Sequence, residues 1–229
     1  MKKTFVLISL SFLLLGCNSS NNLSSSIESS SSQTSSSTSL YSTSTDLKPP
    51  KIPNVSSVNK TFNIYINPSV QTHNMFYDKV TTEAEIMNKI SKQIVNNLSN
   101  ISYLNVYHND RYLSLSKSVS EINKLNIDYH LALHSNAGGG SGSECYQYKS
   151  EDFAKSILTG FNQMHNFPNR GVKDGSHLYE LNSSKAKNKI LIEFLFHDNS
   201  QEGYFLKTKY KEIADNVSKS LIAYINLCA

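Results

Sequence analysis

Asp128-Tyr129-His130-Leu131-Ala132-Leu133-His134-Ser135 runs straight into Asn136-Ala137-Gly138-Gly139-Gly140 near the middle of this 229-residue chain, and that junction decides the fold. An apolar-alternating run of this length predicts a β-strand, and the glycines after it predict a loop. His134 then stands at the end of a strand, on rigid backbone, with its side chain free to face a cleft. Open α/β sheets bind ligands at that edge.

Outward from the junction, strands and helices alternate. Phe62 to Ile66 alternates as a strand. Ile86, Ile90 and Ile94, with Met87, Val95 and Leu98 beside them, recur at helical spacing and predict an amphipathic helix over Glu83 to Leu98. Tyr103 to Tyr107 is expected to be a strand, Leu113 to Leu125 a helix, Ile127 to His134 a strand, and Cys145 to Tyr148 a short extended piece. Phe153 to Met164 is expected to be helical, Leu178 to Leu181 a strand, Lys189 to Phe196 a buried strand, and Tyr204 to Leu227 one long helix. The pattern predicts a single α/β domain over 61–229, with a mainly parallel (mixed) central sheet flanked by helices on both faces.

The segment before this domain has a different character. Lys2 and Lys3, the apolar run Phe5 to Leu15, and Gly16-Cys17 follow the charged, apolar and small-residue order of an export signal. The run is shorter than the about 20 residues that span a bilayer. Leu14-Leu15-Gly16-Cys17 resembles a bacterial lipobox, which implies a signal peptide over 1–16, cleavage before Cys17 and lipidation of its thiol. Residues 17–60 are mostly Ser, Thr and Asn, ending in Lys48-Pro49-Pro50-Lys51-Ile52-Pro53, and are too poor in apolar side chains to offset the entropy of ordering. A tether is expected there, carrying the domain away from the membrane and toward a cell wall.

The formal charge of +4 includes Lys2 and Lys3, so the processed chain carries only about +2, which argues against a nucleic-acid partner. Besides Cys17 there are only Cys145 and Cys228, which are compatible with one disulfide or with two separate thiols.

Four groups could carry chemistry. His73 lies in the loop Asn67-Pro68-Ser69-Val70-Gln71-Thr72-His73-Asn74 after the first strand, Glu83 and Glu85 lie at the start of the following helix, His134 ends its strand, and Glu193 sits within Ile190-Leu191-Ile192-Glu193-Phe194-Leu195-Phe196. A carboxylate in so apolar a run is costly to bury unless it is paired or near a metal. Burial would also raise its pKa toward that of a general base. Taken alone, His134 fits a structural histidine as well as a ligand. Glu83 beside Thr82 fits an ordinary helix N-terminus.

Together, the Pro-Ser-X-Gln-X-His-Asn loop, Leu133-His134-Ser135-Asn136-Ala137-Gly138, Arg170-Gly171-Val172-Lys173, Leu178-Tyr179-Glu180-Leu181-Asn182 and Glu193-Phe194-Leu195-Phe196-His197-Asp198-Asn199 resemble the zinc-dependent N-acetylmuramoyl-L-alanine amidases (type 3), in the branch found in clostridial and phage lysins. The resemblance covers nearly all of Phe62 to Ile225. It implies Zn2+ held by two His and one Glu with an open position for water, and a further Glu as base. Carried over, the metal ligands are His73, Glu83 and His134, and the catalytic base is Glu193. Most members place a His directly after an Asp-Pro-Gly turn. Here Val70 follows Asn67-Pro68-Ser69, which moves the first ligand to His73, and Ala84 replaces the second of two adjacent glutamates.

Asn136 is expected to shape the cleft edge, and Arg170, Lys173 and Tyr179 to bind substrate, because the cell-wall peptide carries carboxylates. The implied function is hydrolysis of the amide between N-acetylmuramic acid and L-alanine in peptidoglycan. The implied setting is a monomer, lipid-anchored to the cell membrane through Cys17 and facing the wall. The alternative is a catalytically degenerate amidase fold that binds peptidoglycan or regulates another hydrolase. A solute-binding lipoprotein would share the signal and tether, but it needs two lobes, for which about 170 residues are few.

Overall fold

Strand and helix alternate along the chain because apolar residues recur at period two and then at helical spacing. A computed structural model describes residues 60–228. The predicted signal segment, the lipidation site Cys17 and nearly all of the predicted tether lie outside the described residues. The strands are β1 (Phe62–Pro68), β2 (Leu104–His108), β3 (Tyr129–Asn136), β4 (Ser143–Gln147), β5 (Asn169–Asp174) and β6 (Asn188–Phe196). They form one sheet in the order β2-β1-β3-β6-β4-β5. Only the β4–β6 pairing is antiparallel. The expected mainly parallel, mixed α/β sheet is therefore present.

The two faces of the sheet differ. One carries Ile64, Ile66, Leu131, Leu133, Ile190 and Ile192 and is covered by α1 (Glu83–Leu98), α3 (Glu151–Asn162) and α6 (Tyr210–Cys228). Each fully buried Ile, Leu or Phe there contributes about 1.5–3 kcal/mol, so this face supplies most of the stability. The other face has only short covers, α2 (Leu115–Ile122) and α4 (Tyr179–Ser183), over two small clusters. Its alternating positions hold His130, Ala132 and His134 on β3. The fold thus concentrates its apolar burial on one face and leaves the other for polar chemistry.

Three expectations are corrected. Leu178 to Leu181 is the start of α4 rather than a strand: Leu181 N–H donates to the Leu178 carbonyl at 3.1 Å, and Leu181 is buried against Ala132 and Leu191. The run expected as one C-terminal helix is two, α5 (Ser200–Thr208) and α6, separated at Lys209 (φ −107°, ψ 16°). Asn199 caps α5, its side chain accepting from the N–H groups of Gln201 and Glu202. Edge strand β5 was not expected, because Asn-Arg-Gly-Val-Lys-Asp has almost no apolar alternation. Cys145 is buried, Cys228 is exposed, and both are free, which settles the two-thiol alternative.

Candidate active site at the carboxyl edge of the sheet

Parallel pairing of β3 with β6 sets His134 opposite Glu193. Antiparallel pairing of β6 with β4 sets Glu193 opposite Glu144. One histidine and two acids therefore share a row across three central strands. The third acid arrives from α1. Glu83 and Glu85 are two positions apart, about 200° around a helix, so only one can face the sheet. Glu83 shares the buried face with Met87, Ile90 and Ile94, whereas Glu85 is exposed and pairs with Lys89. Glu83 Oε1 lies 3.0 Å from His134 Nδ1 and accepts from the Ser135 N–H at 3.3 Å.

On the far side of the imidazole, Glu180 Oε2 is 3.9 Å from His134 Nε2. The Glu180 carboxylate also meets the fully buried His130 at 3.2 Å and accepts from Asn67. Burial by itself would push His134 toward its neutral form, but the neighbouring Glu180 and Glu83 carboxylates hold its pKa well above the ordinary histidine value. Burial likewise favours neutral Glu83 and Glu180. Their histidine partners outweigh it and keep both below the usual carboxylate range.

Glu193 behaves oppositely. Burial pushes its pKa to about 7, the His134 charge pulling down and the Glu83 and Glu144 charges pushing up. Its Oε2 is buried without a hydrogen-bond partner. A carboxylate poised near neutrality and in register with His134 suits proton transfer.

The sequence-predicted residues fall into groups. His134, Glu83 and Glu193 converge. His73 does not join them: it is exposed and lies outside the cavity of about 280 Å3 beside His134, whose walls include Val70, Gln71, Tyr179 and Glu180. Among the described residues no three His, Cys, Asp or Glu side chains are placed to hold a metal ion, so His73, Glu83 and His134 do not fit zinc as a set. Arg170 Nε donates to Glu144 Oε2 at 2.7 Å, Lys173 pairs with the same oxygen, and Asn136 donates to Oε1 at 3.0 Å. These three surround a buried acid of their own chain. Tyr179, half-exposed, stands at the cavity wall.

Four residues in the site were given no catalytic or metal role by the sequence reading. Gln71 Nε2 lies 3.5 Å from His134 Nδ1, and Asn74 Nδ2 donates both to Gln71 Oε1 at 2.8 Å and to Glu83 Oε2 at 2.7 Å. Glu144 and Glu180 are the others. Glu180 stands in the family-like stretch Leu178-Tyr179-Glu180-Leu181-Asn182, and reading that stretch as a strand rather than a helical turn hid its inward placement.

A histidine and several carboxylates gathered at the carboxyl edge of a mixed α/β sheet are what the fold and side chains define. Residues 71–223 match the N-acetylmuramoyl-L-alanine amidase family (type 3), and the chain belongs to that family. It is similar to the N-acetylmuramoyl-L-alanine amidase CwlM of Bacillus licheniformis, 28% identical over 147 residues, covering 60% of this chain and 56% of that protein. The chain spans about half the length of the curated relatives it matches. Its fold resembles the N-acetylmuramoyl-L-alanine amidase of Clostridium difficile 630, with a TM-score of 0.66, 19% identity, and coverage of 72% of this chain and 97% of that one. The catalytic domain of the CD27L endolysin targeting Clostridia difficile is also similar, with a TM-score of 0.58, 22% identity, and coverage of 72% and 97%.

Proposed function

We propose that this chain hydrolyses the amide between N-acetylmuramic acid and L-alanine in peptidoglycan. The observation that carries the reading is the register of β3 and β6, which puts Glu193, with a pKa of about 7, beside His134 at the carboxyl edge of the sheet. At neutral pH such a carboxylate takes a proton from an attacking water as the tetrahedral centre forms. It then hands that proton to the departing alanine nitrogen, which must be protonated to leave. Glu83 and Glu180 hold the His134 ring from opposite sides and fix its orientation. The cavity beside His134 gives the substrate a walled approach.

Zinc dependence belongs to this reading as a family expectation. With His73 apart from the other two, the expected trio supplies no step. Lipidation at Cys17, attachment to the membrane facing the wall, and action as a monomer complete the proposal. They rest on Leu14-Leu15-Gly16-Cys17 and the Ser/Thr/Asn-rich segment after it.

The test is appearance of new L-alanine amino termini in purified cell wall incubated with the full chain. Release by the wild type and its loss in Glu193→Gln support the reading; equal release by both overturns it. One observation favours a second reading, a wall-binding domain that does not cut: Val70 stands where most members carry the first histidine, and His73 is exposed. Sedimentation with wall fragments without release of amino groups would establish that reading instead.

A further inference from the structure

We propose that Gln71, and not His73, supplies the third protein donor of a divalent-cation site completed by Glu83 and His134. The site's location rests on the amidase reading above. Glu83 Oε1 at 3.0 Å and Gln71 Nε2 at 3.5 Å both face Nδ1 of His134. A ring nitrogen either donates or accepts, so it cannot satisfy a carboxylate oxygen and an amide N–H together. Turning the amide so that its oxygen faces the ring side removes that conflict, and the ring lone pair, a carboxylate lone pair and the amide oxygen then converge as a cation site requires. The 3.0 Å separation of Nδ1 and Oε1 suits two donors each about 2 Å from one ion.

Gln71 can offer the third. Half a turn of its side-chain amide replaces Nε2 by Oε1 at the same place. That turn gives up one bond to Asn74, which keeps its hold on Glu83 Oε2. Charge argues the same way. Glu83 and Glu180 both lie within 4.0 Å of the His134 ring, Glu193 stands beside it in register, and the nearby cations Arg170 and Lys173 are taken by Glu144. Glu193 Oε2, buried and unpartnered, adds an unsatisfied acceptor to a row already rich in acid. Two oxygens and one nitrogen make a harder donor set than two imidazoles and one carboxylate, so the site binds zinc more weakly and discriminates less against Mn2+.

The test is metal binding by the purified full chain after chelation and dialysis, with Zn2+, Mn2+ and Co2+ as probes. Expected are one zinc per chain in the wild type, unchanged affinity in His73→Ala, at least about tenfold weaker binding in Gln71→Ala, and at least about tenfold tighter binding in Gln71→His. The visible bands of the Co2+ form shift in Gln71→His as an oxygen donor becomes nitrogen. A gain in affinity cannot come from a variant that fails to fold. The proposal is overturned if the wild type binds none of these ions, if Gln71→Ala binds as the wild type does, or if His73→Ala loses the metal as His134→Ala does. Amino-group release from cell wall, followed on the same samples, separates the two readings. Cleavage by a chain that binds no metal overturns the site and keeps the amidase; metal held through Gln71 without cleavage keeps the site and overturns the amidase.

Discussion

Glu180 and His134 face each other at 3.9 Å, carboxylate Oε2 to ring Nε2, on the side of the imidazole opposite Glu83. A carboxylate therefore stands beside each ring nitrogen. Glu180 is itself anchored by His130 and Asn67, so the orientation of His134 is passed down to the buried end of β3.

Replacing Glu180 by Gln keeps the volume and removes the charge. Amino-group release is expected to fall about 10- to 100-fold, the usual effect of losing a partner that orients a functional histidine. Steady-state assays on cell wall, with circular dichroism to confirm the fold, check this. Glu180→Ala should also lower stability by about 1–3 kcal/mol, because His130 and Asn67 lose their acceptor.

Glu193 illustrates a cost of function. Its folded pKa of about 7 lies above the ordinary 4.5, so the native state prefers the protonated acid. The stability associated with it is complete below pH 4.5 and is lost as pH rises through about 7. In metal-free protein, Glu193→Gln should gain about 1–3 kcal/mol at a pH of about 8 and nothing at a pH of about 4, while abolishing activity. Denaturant unfolding at the two pH values, beside the cell-wall assay, reads both.

Glu144 has the opposite sign. Burial would raise its pKa, but Lys173 and Arg170 outweigh that and hold it below 4.5. Its stabilisation is present above the unfolded pKa and disappears as pH falls through the lower folded value. Glu144→Ala should cost about 1–3 kcal/mol at neutral pH, discounted because both cations are more than a third exposed. The loss should shrink toward zero in acid, a trend that thermal melts across the acid range would show.

Tyr179 stands half-exposed at the wall of the cavity beside His134. Tyr179→Ala should raise KM roughly fivefold, equivalent to about 1 kcal/mol of contact, and leave kcat unchanged. A fall in kcat with constant KM would assign the ring a different role.

Much of this protein was legible in one dimension. The helix over Glu83 to Leu98 appears with the expected bounds, because its 3.6-residue stripe is a local property and a strong one. Strands β1, β3 and β6 were marked by apolar runs that only a buried sheet accommodates. His134 and Glu193 stood out for local reasons, a strand end before glycines and an acid in an apolar strand, whereas Glu83 read as an ordinary helix start until the family resemblance marked it. β5 and the break at Lys209 were not legible, since an edge strand needs little apolar alternation and a helix break needs a backbone change at only one residue.

The sequence by itself determined the α/β class and the main strands and helices, and it marked His134 and Glu193, because hydrophobic periodicity and isolated buried charge act over a few neighbouring residues; Glu83 entered through the family resemblance. Tertiary structure alone decided who stands beside whom. Strand pairing put Glu144 opposite Glu193, packing of α4 brought Glu180 to His134, and the path of the loop after β1 turned Gln71 toward that ring and left His73 exposed. Those choices follow from contacts between segments tens of residues apart, where shape and charge complementarity, rather than spacing along the chain, select the partner.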